Sequence, residues 1–530
     1  MHSSLEVVTA CIASLYKPPR NFFSHSMIAR KSALIIFIQL LNGLLGYIAL
    51  KFIALYMDPW EYGVVGFAYG FVALFSIFGK MGFDQAHIKR VSEGKNLGKC
   101  ISTFAVIKLF LAGVMSGAVI LSVAVWRYLL HRGFESPLHE KAVYIMLIYF
   151  VLLTISQIFI STFNARRESA KAYIPLFVYT LARVSLTVFV AIKNLGAIAL
   201  ACTYVFGEIF HLVMALILFR GYPVERPSLS LFKSYLKFAI PLSIVSTSYI
   251  IMTNVDKVFI QLFWSSKEVG WYFAIFNLSR FVILVVTSVG LLLFPTISEY
   301  HSRNDMDKIR KMVIKSERYL SMVIFPIVTM IIILAEPIIH ILLSDKYLPG
   351  VRILQILPLF VLLEALARPY VSKMQGMDMP ELVRNRFLIM VSANVILNLI
   401  LIPRDIRSLG LNLFGLGAEG AAIATVISYV LGLIYIRYKA WRITGLKGNR
   451  RIILHAIASG IMALILWYIL KIFYISRWYH LVGIALIGIA VYLCILCLMR
   501  EFKKEDFNFF LDTLNVKRMV IYIRDELRRK

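Results

Sequence analysis

Nine ionisable side chains fall within stretches apolar enough to cross a bilayer, where each is costly unless it pairs, faces a hydrated cavity or snorkels to an interface. Six are cations (Lys51, Lys108, Arg183, Lys257, Arg280 and Arg368) and three are acids (Glu208, Asp256 and Glu364). The cation surplus predicts a cationic cavity for an anionic ligand, and the planar arginine fork suits phosphate. Depth sorts the group. Lys51 and Lys108 lie within a few turns of an interface, where snorkelling competes with ligand contact. Glu364 and Arg368 stand four apart on one helix, a spacing that permits a modest intrahelical ion pair. Arg183, Glu208 and Arg280 lie nearer mid-span, and the two arginines either line a cavity or pair with Glu208 or Asp256. Asp256 and Lys257 are neighbours and cannot point the same way, and Thr253 and Asn254 enlarge their polar patch. Trp271, Tyr272 and Phe273, followed by Asn277, suit stacking on sugar rings or simple packing. The three acids are also candidates for coupling to an H+ or Na+ gradient. Removal of substrate on the far side is an equally good driving force.

These residues are positioned by apolar segments at about 32–56, 62–79, 101–126, 142–163, 173–192, 195–219, 239–262, 269–294, 319–342, 351–372, 383–403, 415–436, 452–471 and 479–499. A hydrocarbon core of about 30 Å needs roughly 20 residues of helix. The expected fold is therefore an all-α polytopic membrane protein with about fourteen transmembrane helices. Mean hydropathy is +0.78, yet formal net charge is +28. The charge follows topology: alternate loops and the two ends hold about 40 of the 57 Lys and Arg residues. That pattern predicts a multi-pass protein of the cell membrane with both termini cytoplasmic. It also excludes a nucleic-acid reading of the basicity. The apolar run 5–16 is short, lacks a preceding basic region and is followed by Lys17-Pro18-Pro19-Arg20, so the first span is expected to be an uncleaved signal anchor. Cys11, Cys100, Cys202, Cys494 and Cys497 fall on the inner side or within spans and imply no external disulfide framework.

A weak internal repeat organises the spans. Lys51-Phe52-Ile53 and the turn Glu61-Tyr62-Gly63 recur as Lys257-Val258-Phe259-Ile260 and Glu268-Val269-Gly270. Leu195-Gly196-Ala197 recurs as Leu416-Gly417-Ala418. Both matches keep the same membrane orientation. The expected organisation is a cytoplasmic segment (1–31), a six-helix lobe (32–220), a linker (221–238), a parallel second lobe (239–437), two appended helices (438–499) and a basic amphipathic tail (500–530). Two parallel lobes around a central cavity are a transporter architecture, in which one rocks against the other. The inner stretch 295–318 is expected to form a short amphipathic helix on the cytoplasmic surface, and the tail an interfacial helix on an anionic leaflet.

Four strings carry a resemblance: Asn254-Val255-Asp256-Lys257, Val269-Gly270-Trp271-Tyr272, Leu293-Phe294-Pro295-Thr296-Ile297-Ser298 and the run 415–425, Gly-Leu-Gly-Ala-Glu-Gly-Ala-Ala-Ile-Ala-Thr. In order and spacing they resemble the polysaccharide-biosynthesis (O-antigen type) flippases of the multidrug/oligosaccharidyl-lipid/polysaccharide exporter superfamily. The resemblance implies translocation of polyprenyl-pyrophosphate-linked oligosaccharide from the inner to the outer leaflet, with cavity cations meeting the pyrophosphate. The partners it implies are that lipid-linked substrate, membrane lipids and glycan-assembly enzymes. A multidrug antiporter is the first alternative, but its cavity would favour acids. A polyprenyl-dependent glycosyltransferase or polymerase is the second, and it would need interfacial carboxylates and a large outer loop. No phosphate-cradling glycine loop or nucleophile elbow occurs, the histidines show no metal-ligand spacing, and Cys494 and Cys497, though spaced CxxC, read as packing residues of a lipid-facing helix, so no catalytic residue, metal or cofactor is expected.

Overall fold

The computed structural model describes residues 25–129, 134–406, 411–502 and 506. The chain divides into two units, residues 1–42 with 504–530 and residues 43–503, and the second is the one built up below. The run 5–16, Cys11 and most of the basic tail lie outside the described residues.

Helices follow one another almost without interruption: α1 (His25–Tyr56), α2 (Pro59–Lys80), α3 (Phe83–Ser92), α4 (Leu97–Ala124), α5 (Pro137–Ala165), α6 (Ser169–Ile192), α7 (Gly196–Leu218), α8 (Leu229–Phe263), α9 (Ser266–Ser302), α10 (Met306–Ile333), α11 (Ala335–Leu342), α12 (Val351–Ile356), α13 (Leu359–Gly376), α14 (Pro380–Leu401), α15 (Gly417–Thr444), α16 (Ile452–Ile472) and α17 (Trp478–Leu498). A two-residue antiparallel ladder, Asp405–Ile406 with Leu411–Asn412, joins α14 to α15. Only helices satisfy all their backbone groups internally in hydrocarbon, which is why long apolar segments take this form. Among the described residues, eleven helices are long and apolar enough to cross a membrane, against an expected fourteen. The bent pair Leu229–Ile240 and Ser243–Phe263, angled by 55°, makes a twelfth. The expected first and eighth spans fall on α1, whose Leu41–Tyr56 part is a shorter apolar helix, and on α9, and neither is among the eleven.

One expected element is corrected. The inner stretch 295–318 is not a separate surface helix: α9 runs through Pro295 to Ser302, and α10 begins at Met306. Its charges sit on the ends of two long helices. Helix α8 starts at Leu229, and its Tyr235 and Ala239 pack against Phe83, Phe104 and Ile107 of α3 and α4.

The packing repeats as the motifs do. In the first half α2 packs on α5, α4 on α5, α5 on α7 and α6 on α7. In the second half α9 packs on α13, α10 on α13, α13 on α15 and α14 on α15. Helices α16 and α17 lie on each other and on α10.

The repeated motifs also meet their partners. Gly196 (φ +85°) and Gly417 (φ +55°) open α7 and α15 in the left-handed region, where a side chain is strained. Glu268 Oε2 accepts a 2.8 Å hydrogen bond from the Ala418 amide, on the electropositive N-terminus of α15. Glu61 Oε1 approaches within 3.5 Å of the place a Cβ on Gly196 would occupy. The two halves then cross on glycine. A Cβ on Gly63 would lie 1.7 Å from Ser266 O, and one on Gly270 would lie 1.9 Å from Pro59 O. Helices α2 and α9 thus touch backbone to backbone at the end expected to face outward, the close approach that small residues permit.

Candidate functional site

Inward from that crossing, aromatic rings of both halves form a seam in two groups bridged by Lys257, and further cations lie on it. Tyr69 of α2 is the centre: its ring centroid is 5.9 Å from Tyr204 of α7 and 6.2 Å from Phe273 of α9. The Arg183 guanidinium lies 4.8 Å from the Tyr204 ring and 5.7 Å from Tyr179. The Lys257 ammonium lies 5.3 Å from Phe273, 5.5 Å from Phe276 and 5.8 Å from Tyr69. Arg280 lies 5.6 Å from Phe276 and donates to Tyr249 Oη at 3.3 Å. The seam continues from Phe276 to Phe360 at 6.1 Å and on to Tyr429 at 5.2 Å. A cation over a ring face is attracted by the ring quadrupole yet keeps its charge, at about 0.5–2 kcal/mol per contact. Arg183 and Arg280 form no ion pair among the described residues. Arg183 Nε is buried with no hydrogen-bond partner. Three of the six expected cations, from α6, α8 and α9, therefore share one seam. Phe273 and Phe276 of the aromatic run face inward rather than lipid.

The acids go elsewhere. Lys257 donates to Thr253 O at 2.7 Å and Asn254 Oδ1 at 2.9 Å, while its neighbour Asp256 points to the opposite side. There Asp256 accepts from Tyr272 Oη, from Asn398 Nδ2 at 2.6 Å and from Thr425 Oγ1 at 3.2 Å. Glu208 binds His211 Nδ1 at 2.8 Å, one helical turn along α7. Glu364 takes two guanidinium groups, Arg368 at 2.9 Å and Arg386 at 2.7 Å. Counting Arg386 by its sequence position as inner-loop orientation charge misses it: it is 1% exposed inside α14. Its position three residues past the start of an apolar run was the available signal.

Lys51 and Lys108 lie off the seam. Lys51 Nζ donates to Ile341 O at 2.5 Å and Leu343 O at 3.0 Å, capping the C-terminal carbonyls of α11. Lys108, buried, reaches Asp84 Oδ1 at 2.7 Å and Gly79 O at 2.9 Å.

A latch beside the glycine crossing went unread in the sequence, because its partners are far apart in the chain. Glu135, between α4 and α5, accepts from the Ser266 amide at 2.8 Å, Ser266 Oγ at 2.5 Å and Gln261 Nε2 at 2.7 Å through one oxygen. Its other oxygen accepts from Trp60 Nε1 at 2.9 Å. His139 Nε2 meets Ser266 Oγ at 2.7 Å and lies 3.9 Å from the same carboxylate. Burial pushes the Glu135 carboxyl up, but the hydrogen bonds from Ser266, Gln261 and Trp60 outweigh it and hold the group below its ordinary value. With a depressed folded value, the latch is at full strength above the ordinary carboxylate pKa and is lost as pH falls through the depressed one. Glu135→Gln keeps the shape and removes the charge. It is expected to speed amide hydrogen exchange at Ser266 several-fold at neutral pH, with the gap to the parent closing in acid. Equal exchange at both pH values would remove the latch.

Comparison with known proteins places this geometry. The chain is 23% identical over 411 residues to a probable low-salt glycan biosynthesis flippase, Agl15, of Haloferax volcanii, covering 77% of this chain and 82% of that protein. Its fold matches the lipid II flippase MurJ in an inward closed conformation, with a TM-score of 0.73 at 17% identity over 88% of this chain and 98% of MurJ. It also matches an inward-facing multidrug resistance MATE family transporter of the MOP superfamily, with a TM-score of 0.61 at 14% identity over 76% of this chain and 95% of that one. The profile of the family described as "Polysaccharide biosynthesis protein" fits residues 53–352, more than half of the chain. With duplicated helical packing, a cation-bearing seam and that profile over more than half of its length, this multi-pass membrane protein belongs to the polysaccharide biosynthesis protein family.

Proposed function

We propose that this protein flips a polyprenyl-pyrophosphate-linked oligosaccharide from the inner to the outer leaflet, a transport step with no bond-making chemistry. The observation that carries the reading is the seam on which Arg183, Lys257 and Arg280 lie without carboxylate partners. A pyrophosphate cannot cross hydrocarbon unaided, so the head group needs a cationic, hydrated path while the isoprenoid tail stays in lipid. The rings beneath the cations suit sugar faces. Two six-helix lobes, 32–220 and 239–437, rock about the seam, and the glycine crossing is their contact on the outward side. Arg368, Lys51 and Lys108 take supporting parts in this reading, the first beside the seam and the others at helix ends. The protein is placed in the cell membrane with both termini cytoplasmic, handing its cargo to glycan-assembly enzymes.

Coupling to H+ or Na+ is proposed at Asp256. Glu208 and Glu364 are bonded to a histidine and to two arginines, whereas every hydrogen bond Asp256 receives comes from a neutral side chain. Asn398 Oδ1 beside it is buried with no donor, and an oxygen-rich cluster of this kind suits a hard cation or a proton.

The multidrug-antiporter reading draws on the MATE-like fold, and one experiment separates the two. Proteoliposomes are loaded with a fluorescent polyprenyl-pyrophosphate oligosaccharide or with a cationic dye. Arg183→Ala and Arg280→Ala are each expected to slow oligosaccharide flipping about tenfold, the loss of one charge-assisted contact. Asp256→Asn should remove acceleration by an ion gradient. Full-rate flipping by both arginine variants, or dye antiport with no flipping, would discard the reading.

A further inference from the structure

Two inner turns of the first half border an open pocket that includes none of the seam residues and that the flipping mechanism does not use. It lies where α3 gives way to α4 and α5 to α6, lined by Val91, Ser92, Lys95, Leu97, Ala165, Arg166 and Arg167, with a volume of about 360 Å³. The two turns are tied side by side, Ser92 Oγ donating to Ala165 O at 3.3 Å. Three cations and a hydroxyl line it, with no carboxylate among the lining residues. The nearest acids are already engaged. Glu93 binds Arg90 at 2.7 Å and Lys89 at 3.9 Å. Glu168 takes Arg166 at 2.8 Å, Lys171 at 3.0 Å and the Tyr222 hydroxyl, and Lys95 and Arg167 stand beside Arg166 in the lining. The first turn of the long helix α4 adds its electropositive end: Asn96 caps the Lys99 amide, and Leu97 opens the helix on the pocket wall. Val91, Leu97 and Ala165 supply an apolar side to the same cavity.

We infer that this pocket binds a phosphate group, presented by the headgroup of an anionic phospholipid in the leaflet that the positive-inside bias assigns to the cytoplasm. Basic pockets between transmembrane helices on that side hold such headgroups, and the size is within the range of small-ligand sites. The mixed lining matches the ligand: cations and a helix N-terminus for the phosphate, apolar side chains for the glycerol and the start of the acyl chains. A free phosphate would use the cations alone.

The test uses the full chain in nanodiscs of phosphatidylcholine containing photoactivatable phosphatidic acid, with cross-links mapped by mass spectrometry. Cross-links are expected on residues 91–97 and 165–167. Lys95→Glu combined with Arg167→Glu, both on exposed positions, should reduce them at least about fivefold in protein whose thermal unfolding matches the parent's. Arg442→Glu combined with Lys447→Glu, equally exposed on the same expected face, should leave them unchanged. Inorganic phosphate at high concentration is expected to compete only weakly; full displacement would assign the pocket to soluble phosphate and overturn the lipid assignment. Cross-linking that survives the pocket reversal, or falls equally with the control pair, would overturn the site.

Discussion

Gly270→Leu is expected to abolish flipping while leaving the protein folded and inserted. The place its Cβ would occupy is 1.9 Å from Pro59 O, and the reciprocal position on Gly63 is 1.7 Å from Ser266 O. Both are backbone oxygens, which cannot swing aside like the end of a side chain. The helices must therefore separate where α2 and α9 cross. Overpacking of this kind costs about 3 kcal/mol or more, about a hundredfold in the population of the closed outward side. A carrier that cannot close outside cannot reload inside, so the rate falls with that population. Two measurements check it: flipping in proteoliposomes, and thiol labelling of a cysteine placed at Ser266, which should become accessible. Gly63→Leu should act alike, because the crossing is nearly reciprocal. Wild-type flipping by Gly270→Leu would mean that this contact does not open and close during transport.

Glu364→Gln should produce the largest loss of stability. The carboxylate serves Arg368 and Arg386 together, and Arg386 is 1% exposed with its Nε lacking a partner. Removing the negative charge leaves a guanidinium buried without compensation, which costs about 3–5 kcal/mol. The expected result is a lower midpoint of thermal unfolding in detergent. Arg386→Met combined with Glu364→Met should recover much of it, because the fully buried charge is then gone and only the partly exposed Arg368 is left without its carboxylate. If the single variant unfolds with the parent, the triad is solvated. Arg368 is the more exposed arginine of the three-residue group, so Arg368→Gln should cost less.

Particular residues show why some of this was legible in the chain. The Glu-x-Gly and Leu-Gly-Ala strings, each repeated, announced a duplication, and the fold uses both pairs: Glu268 caps the helix that Gly417 opens, and Gly63 meets Gly270. The opposed directions of Asp256 and Lys257 also followed from adjacency on a helix. Glu135 did not stand out, since a loop carboxylate before Ser136-Pro137 looks like ordinary surface. Its meaning comes from Ser266 and Gln261, more than a hundred residues away. Arg386 was misplaced for a similar reason, because charge near a span boundary reads the same whether it faces water or a buried Glu364.

Apolar run length and the alternation of basic loops by themselves determined that the chain is a polytopic helical membrane protein, because hydrocarbon thickness and leaflet charge act on local segments. Composition likewise announced a surplus of cations within the bilayer. Only tertiary structure decided which of them matter together: Arg183, Lys257 and Arg280 on one aromatic seam, Arg368 and Arg386 on Glu364, Lys51 on helix-end carbonyls and Lys108 on Asp84. The physical reason is that the cost of a charge in lipid is set locally, whereas its compensation comes from whichever helix packs against it.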